Sequence, residues 1–286
     1  HEFISCSYSG SLAMSFSRKV RQVLREPSYK TVFEETKLDK DSQSVESWQT
    51  TQGGGYVAAG VGGGITGKGA HILLIDDPVK NREDAESSRI MEKLNDWYTS
   101  TLYTRLEPKV GAIVVIQTRW SENDMIGRLL ENEQNVSEKG RENWTIVDLP
   151  AIFEEAGDRP KLPEHCKVVE DWREEIGSAL CPQRYGKEDL ERIREAIGSR
   201  DFASLYQQRP APESGNMFAP NWWQFYGMDT PLPDFSRVML SVDCTFTDAK
   251  KSDYVVGVVV AQAGSQFYVM DLVREKLDVI GTMAMI

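Results

Sequence analysis

The residues best placed to do chemistry are two adjacent carboxylates, Asp76 and Asp77, near the end of the segment HILLIDDP, His71 to Pro78. Four apolar residues, Ile72, Leu73, Leu74 and Ile75, precede them and read as a buried strand. Charges do not stay unpaired inside a sheet, so the pair must emerge at the strand's carboxyl end. In an open α/β sheet, that rim is where ligands bind. A hydrophobic strand ending in two acids is the Walker B pattern, in which one acid holds Mg²⁺ and the next polarises the water that attacks a γ-phosphate. Taken alone, the pair fits a strand-end turn equally well.

Directly upstream lies QGGGYVAAGVGGGITGKG, residues 52–69, with a plausible short strand at Tyr56 to Ala59. Such glycine density permits tight turns and close backbone approach to a ligand. It is not a phosphate loop. The pattern GxxxxGK[ST] needs Ser or Thr after the lysine and a helix beyond, whereas Gly67-Lys68 is followed by Gly69 and a strand.

These segments need a scaffold. Phe3 to Tyr8 reads as a strand, and Ser9 or Ser11 can cap a helix with Leu12, Phe16, Val20 and Val23 on its apolar face. Residues 83–106 read as one long helix with acids in the first turn and Ile90, Leu94, Trp97 and Thr101 on one face. Ala112 to Ile116 is a second buried strand, ending in Gln117-Thr118-Arg119-Trp120. A helix from Glu122 to Glu133 and a third strand from Trp144 to Leu149 follow. The alternation predicts a parallel α/β sheet. Between Ala151 and Trp223 only Lys187 to Ile197 reads clearly as a helix, and Arg209 to Pro212 reads as a linker. Val238 to Val242 running into Asp243, then Tyr254 to Ala261, then Gln266 to Leu272 form an antiparallel meander, and Arg274 to Ile286 reads as the first turns of a helix.

Bulk composition narrows the class. The chain has 286 residues, 40% hydrophobic and 27% charged, as expected of a globular protein of two ordinary domains. No stretch approaches the roughly 20 apolar residues needed to span a bilayer, and no signal peptide is visible at the start. The absence of an initiator methionine, and an end at Ile286 without a terminator, suggest a fragment cut at both ends. Cys6, Cys166, Cys181 and Cys244 are scattered without CxxC spacing, and there are three histidines, which argues against a structural zinc site or a disulfide framework. The net charge of −11 argues against broad adhesion to nucleic acid. It leaves room for local basic patches at Arg18, Lys19, Arg21 and Arg25 and at Lys250-Lys251, which read as solvated faces on charge alone.

Four segments in order carry a resemblance: GGGYVAAGVGGGITGKGAHILLIDDPVKN (53–81), VVIQTRW (114–120), SLYQQRPAPESG (204–215) and MLSVDCTFTDAKKSDYVVGVVV (239–260). Together they resemble the large terminase subunit of tailed phages and prophages. The resemblance implies an α/β fold in two parts. Residues 1–150 would be a partial P-loop ATPase core of the additional-strand type, 151–234 a lid or linker region, and 235–286 the start of a ribonuclease-H-like nuclease domain. It implies ATP-driven DNA translocation with metal-dependent cutting of concatemeric DNA. ATP would be the substrate and Mg²⁺ or Mn²⁺ the cofactor.

Carried over by position, Asp76 would bind Mg²⁺, Asp77 would orient the attacking water, and Gln117 and Thr118 would form the coupling motif. Lys68 stands where the family has a basic residue that can act in trans, with Arg18 and Arg21 as further candidates. Walker A would lie upstream of residue 1, so this chain alone should not bind ATP tightly. Asp243 and Asp253 would hold metal in the nuclease, with Asp248 and Asp271 as additional acids and a second principal acid beyond Ile286. The implied partners are double-stranded DNA, the portal protein, the small terminase subunit and further copies in a ring on the procapsid, in the host cytoplasm and away from membranes. Alternatives are a degenerate prophage remnant, a capsid-docking subunit, or another ATPase joined to a ribonuclease-H-like enzyme such as a transposase.

Overall fold

A computed structural model of the chain describes residues 1–154, 162–210, 224–227, 230–244 and 254–285. They fall into two compact units, His1–Phe218 and Ala219–Ile286.

The first unit is built on a six-stranded sheet. Its strands are β1 (Glu2–Ser7), β2 (Leu38–Gln43), β3 (Ser47–Thr50), β4 (Gly55–Gly60), β5 (Ile72–Asp76) and β6 (Ala112–Ile116), in spatial order β2-β3-β4-β1-β5-β6. β4, β1, β5 and β6 run parallel, and β2 and β3 continue the sheet antiparallel. The chain leaves β1 toward β4 and leaves β5 toward β6. The carboxyl ends of β1 and β5 therefore flank the point where the winding reverses, which is where such sheets open a crevice.

Each face of the sheet has its own packing. On one, Ile4, Cys6, Leu73 and Ile75 meet Ile65, Met91, Leu94, Trp97, Tyr98, Leu102 and Met125, all buried. On the other, Tyr56 and Ala58 pack with Ala13 and Leu24 of α1 (Gly10–Arg25). α1 starts where expected: Ser9 is its N-cap, accepting the Leu12 N–H at 3.3 Å. Its inward face is not the predicted one, because Val20 and Val23 are exposed and Ala13, Ser17 and Leu24 are buried. Small residues win there because the helix lies close to the sheet. Ser17 donates to the Val45 carbonyl at 2.6 Å and accepts from the Trp48 indole at 3.0 Å.

The expected helix over 83–106 is broken. α2 (Pro27–Val32) follows α1, and after β5 come α3 (Arg82–Glu86), capped by the Asn81 side chain, and α4 (Ser88–Trp97). Ser87 between them is extended. A π turn at Tyr98–Leu102 and a 3₁₀ turn at Tyr103–Arg105 complete the stretch. The wider π turn shifts the inward face by about one residue, so Tyr98 and Leu102 enter the core in place of Thr101. α5 (Met125–Asn135) follows β6 and begins three residues later than expected.

The strand expected at Trp144 to Leu149 shrinks to β7 (Thr145–Ile146), which pairs with β8 (Lys167–Val168) outside the main sheet. Side chains take the carbonyls that follow: Gln208 donates to Leu149 at 2.9 Å and Arg173 to Pro150 at 2.7 Å. α6 (Lys187–Ile197) occupies the predicted residues, and α7 (Ser199–Leu205) is an additional helix. Ile152, Leu190 and Phe202 form a small core beneath them. Ser204 ties α7 to the main domain by donating to the Arg119 carbonyl at 2.7 Å, and ion pairs join Arg200 to Glu86 and Arg82 to Asp201.

The second unit contains the expected meander, with β9 (Arg237–Asp243), β10 (Val255–Ala263) and β11 (Gln266–Glu275) antiparallel in the order β11-β10-β9. α8 (Val279–Met285) packs its Met285 on Gly257 of β10.

One close approach is decisive for the first unit. A Cβ on Gly60, at the end of β4, would lie 2.6 Å from the Gly10 amide nitrogen, backbone against backbone. Gly60→Ala should therefore cost about 1–3 kcal/mol, read as a lower urea midpoint with an unchanged slope, whereas Gly64→Ala, with open space around its Cβ position, should leave the midpoint nearly unchanged.

Candidate functional site

The acid pair emerges where the strand ends. Asp76 is the last residue of β5 and half-buried; Asp77 follows it in the left-handed region, at φ 43°. An aspartate tolerates that conformation better than a branched or bulky residue. The kink lets Asp77 fasten three strand ends. Its N–H donates to the Ile116 carbonyl at 2.8 Å, its carbonyl accepts the Tyr8 N–H at 3.0 Å, and its Oδ1 accepts the Thr118 N–H at 2.7 Å. Thr118 and Asp77, given separate roles by the resemblance, are thus in direct contact.

Burial, reinforced by the neighbouring Asp77 charge, raises the Asp76 carboxyl above its ordinary value. A half-buried carboxyl beside a second acid gains from a nearby cation, so the pair suits a divalent ion.

Gln117 lies beside them. Its Oε1 accepts the Ile126 N–H at the start of α5 at 3.2 Å, which fixes the amide orientation. Its Nε2 is then buried without a partner among the described residues, and so is Ser7 Oγ at the end of β1. Ser7 was not anticipated, since a serine ending a strand carries no sequence signal of its own. Leaving such a group unpaired costs about 1–3 kcal/mol, and native structures keep few of them. The two lie on β1 and just after β6, the strands on either side of β5.

Arg119 was also assigned no role from sequence. It is clamped to Asp124, which is fully buried, with Nε–carboxylate distances of 3.1 and 2.8 Å. Asp124 also caps α5, accepting the Gly127 N–H at 3.0 Å. The segment after β6 is therefore held rigidly on one side by α5 and touched on the other by α7 through Ser204.

Lys68 is not part of this cluster. It is exposed in the loop between β4 and β5, four residues before β5 begins, so β5 runs between it and the acids. Arg18 and Arg21 lie along α1, Arg18 exposed and Arg21 half-buried.

The coverage of the sheet is uneven around the site. On the face shared with α1, the β5–β6 half has no helix over it among the described residues. Val114 and Ile116 are 43% and 54% exposed there, against the expectation of a buried strand. Sheets of parallel strands are normally covered on both faces. β6 is also an edge strand.

In the second unit, Asp243 ends β9 and is exposed. It registers with Val256, which registers with Arg274 on the far strand, so Asp271 is displaced along β11 from it. Asp248 and Asp253 lie outside the described residues.

This is a mixed α/β protein with a mostly parallel central sheet and an acid pair at its carboxyl rim. Residues 1–225 match the family described as terminase large subunit, T4likevirus-type, N-terminal, and the chain belongs to it. The family links the chain to phage DNA packaging. No curated protein matches it. No helix among the described residues is long and apolar enough to cross a membrane.

The Asp76 environment predicts a pH signature. A carboxyl whose folded value is raised gives the folded state extra protons, so stability falls as pH rises from the ordinary aspartate value, about 3.9, through the raised one. Asp76→Asn should match the parent chain in acid and become progressively more stable over that window, then hold a constant advantage. Parallel urea titrations across pH, without divalent cations, check this.

Proposed function

We propose that the chain is part of an ATP-driven, DNA-translocating motor subunit joined to the beginning of a metal-dependent nuclease. The observation that carries the reading is the Asp76–Asp77 pair at the winding reversal, with Asp77 bonded directly to Thr118. Asp76 would help hold Mg²⁺, whose charge relieves the burden that burial and Asp77 place on it. When bound, Mg²⁺ would supply positive charge to offset that of a triphosphate. Asp77 would orient the attacking water. Because its carboxylate also accepts from Thr118, loss of the γ-phosphate would be felt at the end of β6 and passed on through Arg119 and Ser204 to α7. Gln117 Nε2 supplies a buried donor for a phosphate oxygen or a water.

The free edge of β6 and its exposed face suit a further parallel strand and helix. In the family resemblance these carry the phosphate-binding loop and come from upstream of residue 1. That arrangement would cover Val114 and Ile116 and bring the loop to the acid pair. Lys68, exposed and away from the acids, suits a role on a neighbouring subunit's nucleotide, although lysine lacks the planar fork of arginine.

For the second unit, Asp243 at the strand end would be the first ligand of a two-metal centre for phosphodiester cleavage, with Asp253 as a nearby candidate. Double-stranded DNA, the portal, the small subunit and a ring of like subunits are the partners this reading requires.

Two variants of the full-length parent separate the activities. Asp77→Ala should abolish ATP hydrolysis, measured by phosphate release, while nucleotide binding survives. Asp243→Ala should eliminate cleavage of linear and supercoiled DNA yet leave ATP turnover unchanged. Mg²⁺-dependent cutting retained by the second variant would refute the nuclease assignment.

A further inference from the structure

One residue of α5 and two neighbours on a turn some thirty residues further along the chain meet in space. Glu133, His165 and Cys166 each offer one ligand atom, and these atoms all lie within 4.8 Å of one another. Glu133 and Cys166 are buried. Glu133 projects from α5, whereas His165 and Cys166 sit on the turn before β8, closed by the Cys166 N–H donating to the Pro163 carbonyl at 3.0 Å.

The surroundings favour the anion at Glu133 and set polar and charged groups beside the Cys166 thiol. The Glu133 carboxylate accepts from the Glu142 N–H at 3.0 Å and the Asn143 N–H at 3.0 Å, and His165 Nε2 lies 2.9 Å from it. Burial alone would raise the Glu133 carboxyl, but these bonds outweigh it and hold the group below its ordinary value. Burial, then the Glu133 charge, raises the Cys166 thiol, while a backbone hydrogen bond with Trp144 and the Arg141 charge oppose the rise. The 141–144 segment thus supplies hydrogen bonds to both ligands, as outer-shell groups do around metal sites.

We infer that Glu133, His165 and Cys166 form a binding site for a zinc-class divalent ion. Carboxylate, imidazole and thiolate together suit Zn²⁺ or Co²⁺ and not the hard, oxygen-seeking Mg²⁺. Three protein ligands leave a fourth position. Glu133 also borders an open cavity of ≈ 220 Å³ with Tyr98, Tyr103, Glu142 and Trp144, from which a water could fill it. Binding releases the Cys166 proton to solvent as the metal–sulfur bond forms. The ion would pin the 163–166 turn to α5, whose first turn contacts Gln117. The site is independent of the nucleotide reading above.

The test is titration of the reduced, chelator-stripped 286-residue chain with Co²⁺, followed by Zn²⁺. One Co²⁺ per chain should bind with a thiolate-to-cobalt charge-transfer band that Zn²⁺ displaces and excess Mg²⁺ does not. Cys166→Ser should lose the band, and His165→Ala should weaken binding about tenfold or more. Cys181→Ser, which removes an exposed thiol, should change nothing. Zn²⁺ should also protect Cys166 of the unmutated chain from alkylation, read by peptide mass spectrometry, so the result does not depend on a variant folding. Absence of the band, a band that survives Cys166→Ser or disappears with Cys181→Ser, or alkylation of Cys166 unaffected by Zn²⁺ would overturn the inference.

Discussion

The first unit depends on one residue that belongs to no strand. Asp77 turns the chain into the left-handed region and in doing so bonds the end of β5 to the ends of β1 and β6 at once. A parallel sheet has no hairpins to align its strands, so the relative height of their ends must be fixed by contacts such as these. The same carboxylate that acts as the staple is the one proposed to orient the attacking water. A residue with both duties would tie the integrity of the rim to the geometry of the site, and a change in what the carboxylate contacts would reach Thr118 through their hydrogen bond.

The proposed transmission would have a physical route beyond that point. Arg119 cannot drift, because its guanidinium is committed to the buried Asp124 that caps α5. A charge pair this deep is sensitive to losing either partner, since the survivor would be a buried, unpaired charge. α7 reads this rigid corner through Ser204 and reads the segment after β5 through the Arg82–Asp201 and Arg200–Glu86 pairs. The region that follows the sheet is thus attached to both loops that leave the acid rim, which is the arrangement a hinge-coupled element needs.

Local pattern was the legible part of the sequence. The run Ile72 to Ile75 ending in acids, the Ser9 cap, the α6 boundaries and the three-stranded meander all follow from propensity and period, and each stands where expected. What failed was whatever tertiary packing decides. The inner face of α1 is set by how closely it approaches β4, so small Ala13 and Ser17 displace Val20 and Val23. The π turn at Tyr98–Leu102 changes the period in the middle of a helical stretch, which no periodic template anticipates. Of the candidate site, Asp76 and Asp77 stood out because an apolar strand runs into two acids, whereas Gln117 and Thr118 were singled out through the family resemblance. Ser7 and the Arg119–Asp124 clamp were not, since they acquire meaning only from neighbours on other elements. Cysteine and histidine spacing likewise hid the meeting of Cys166 and His165 with Glu133, because the third group arrives from a helix about thirty residues away.

The β6 edge has a practical corollary for anyone handling this polypeptide. Ala112-Ile113-Val114-Val115-Ile116 is an uninterrupted apolar, β-branched stretch without charge or proline, and its outer rim of N–H and C=O groups faces no neighbouring strand among the described residues. Such a rim recruits similar strands from other molecules. Produced without a covering segment, the chain would tend to self-associate along that border, and lysine placed at Val114 would be the natural gatekeeper to keep it dispersed.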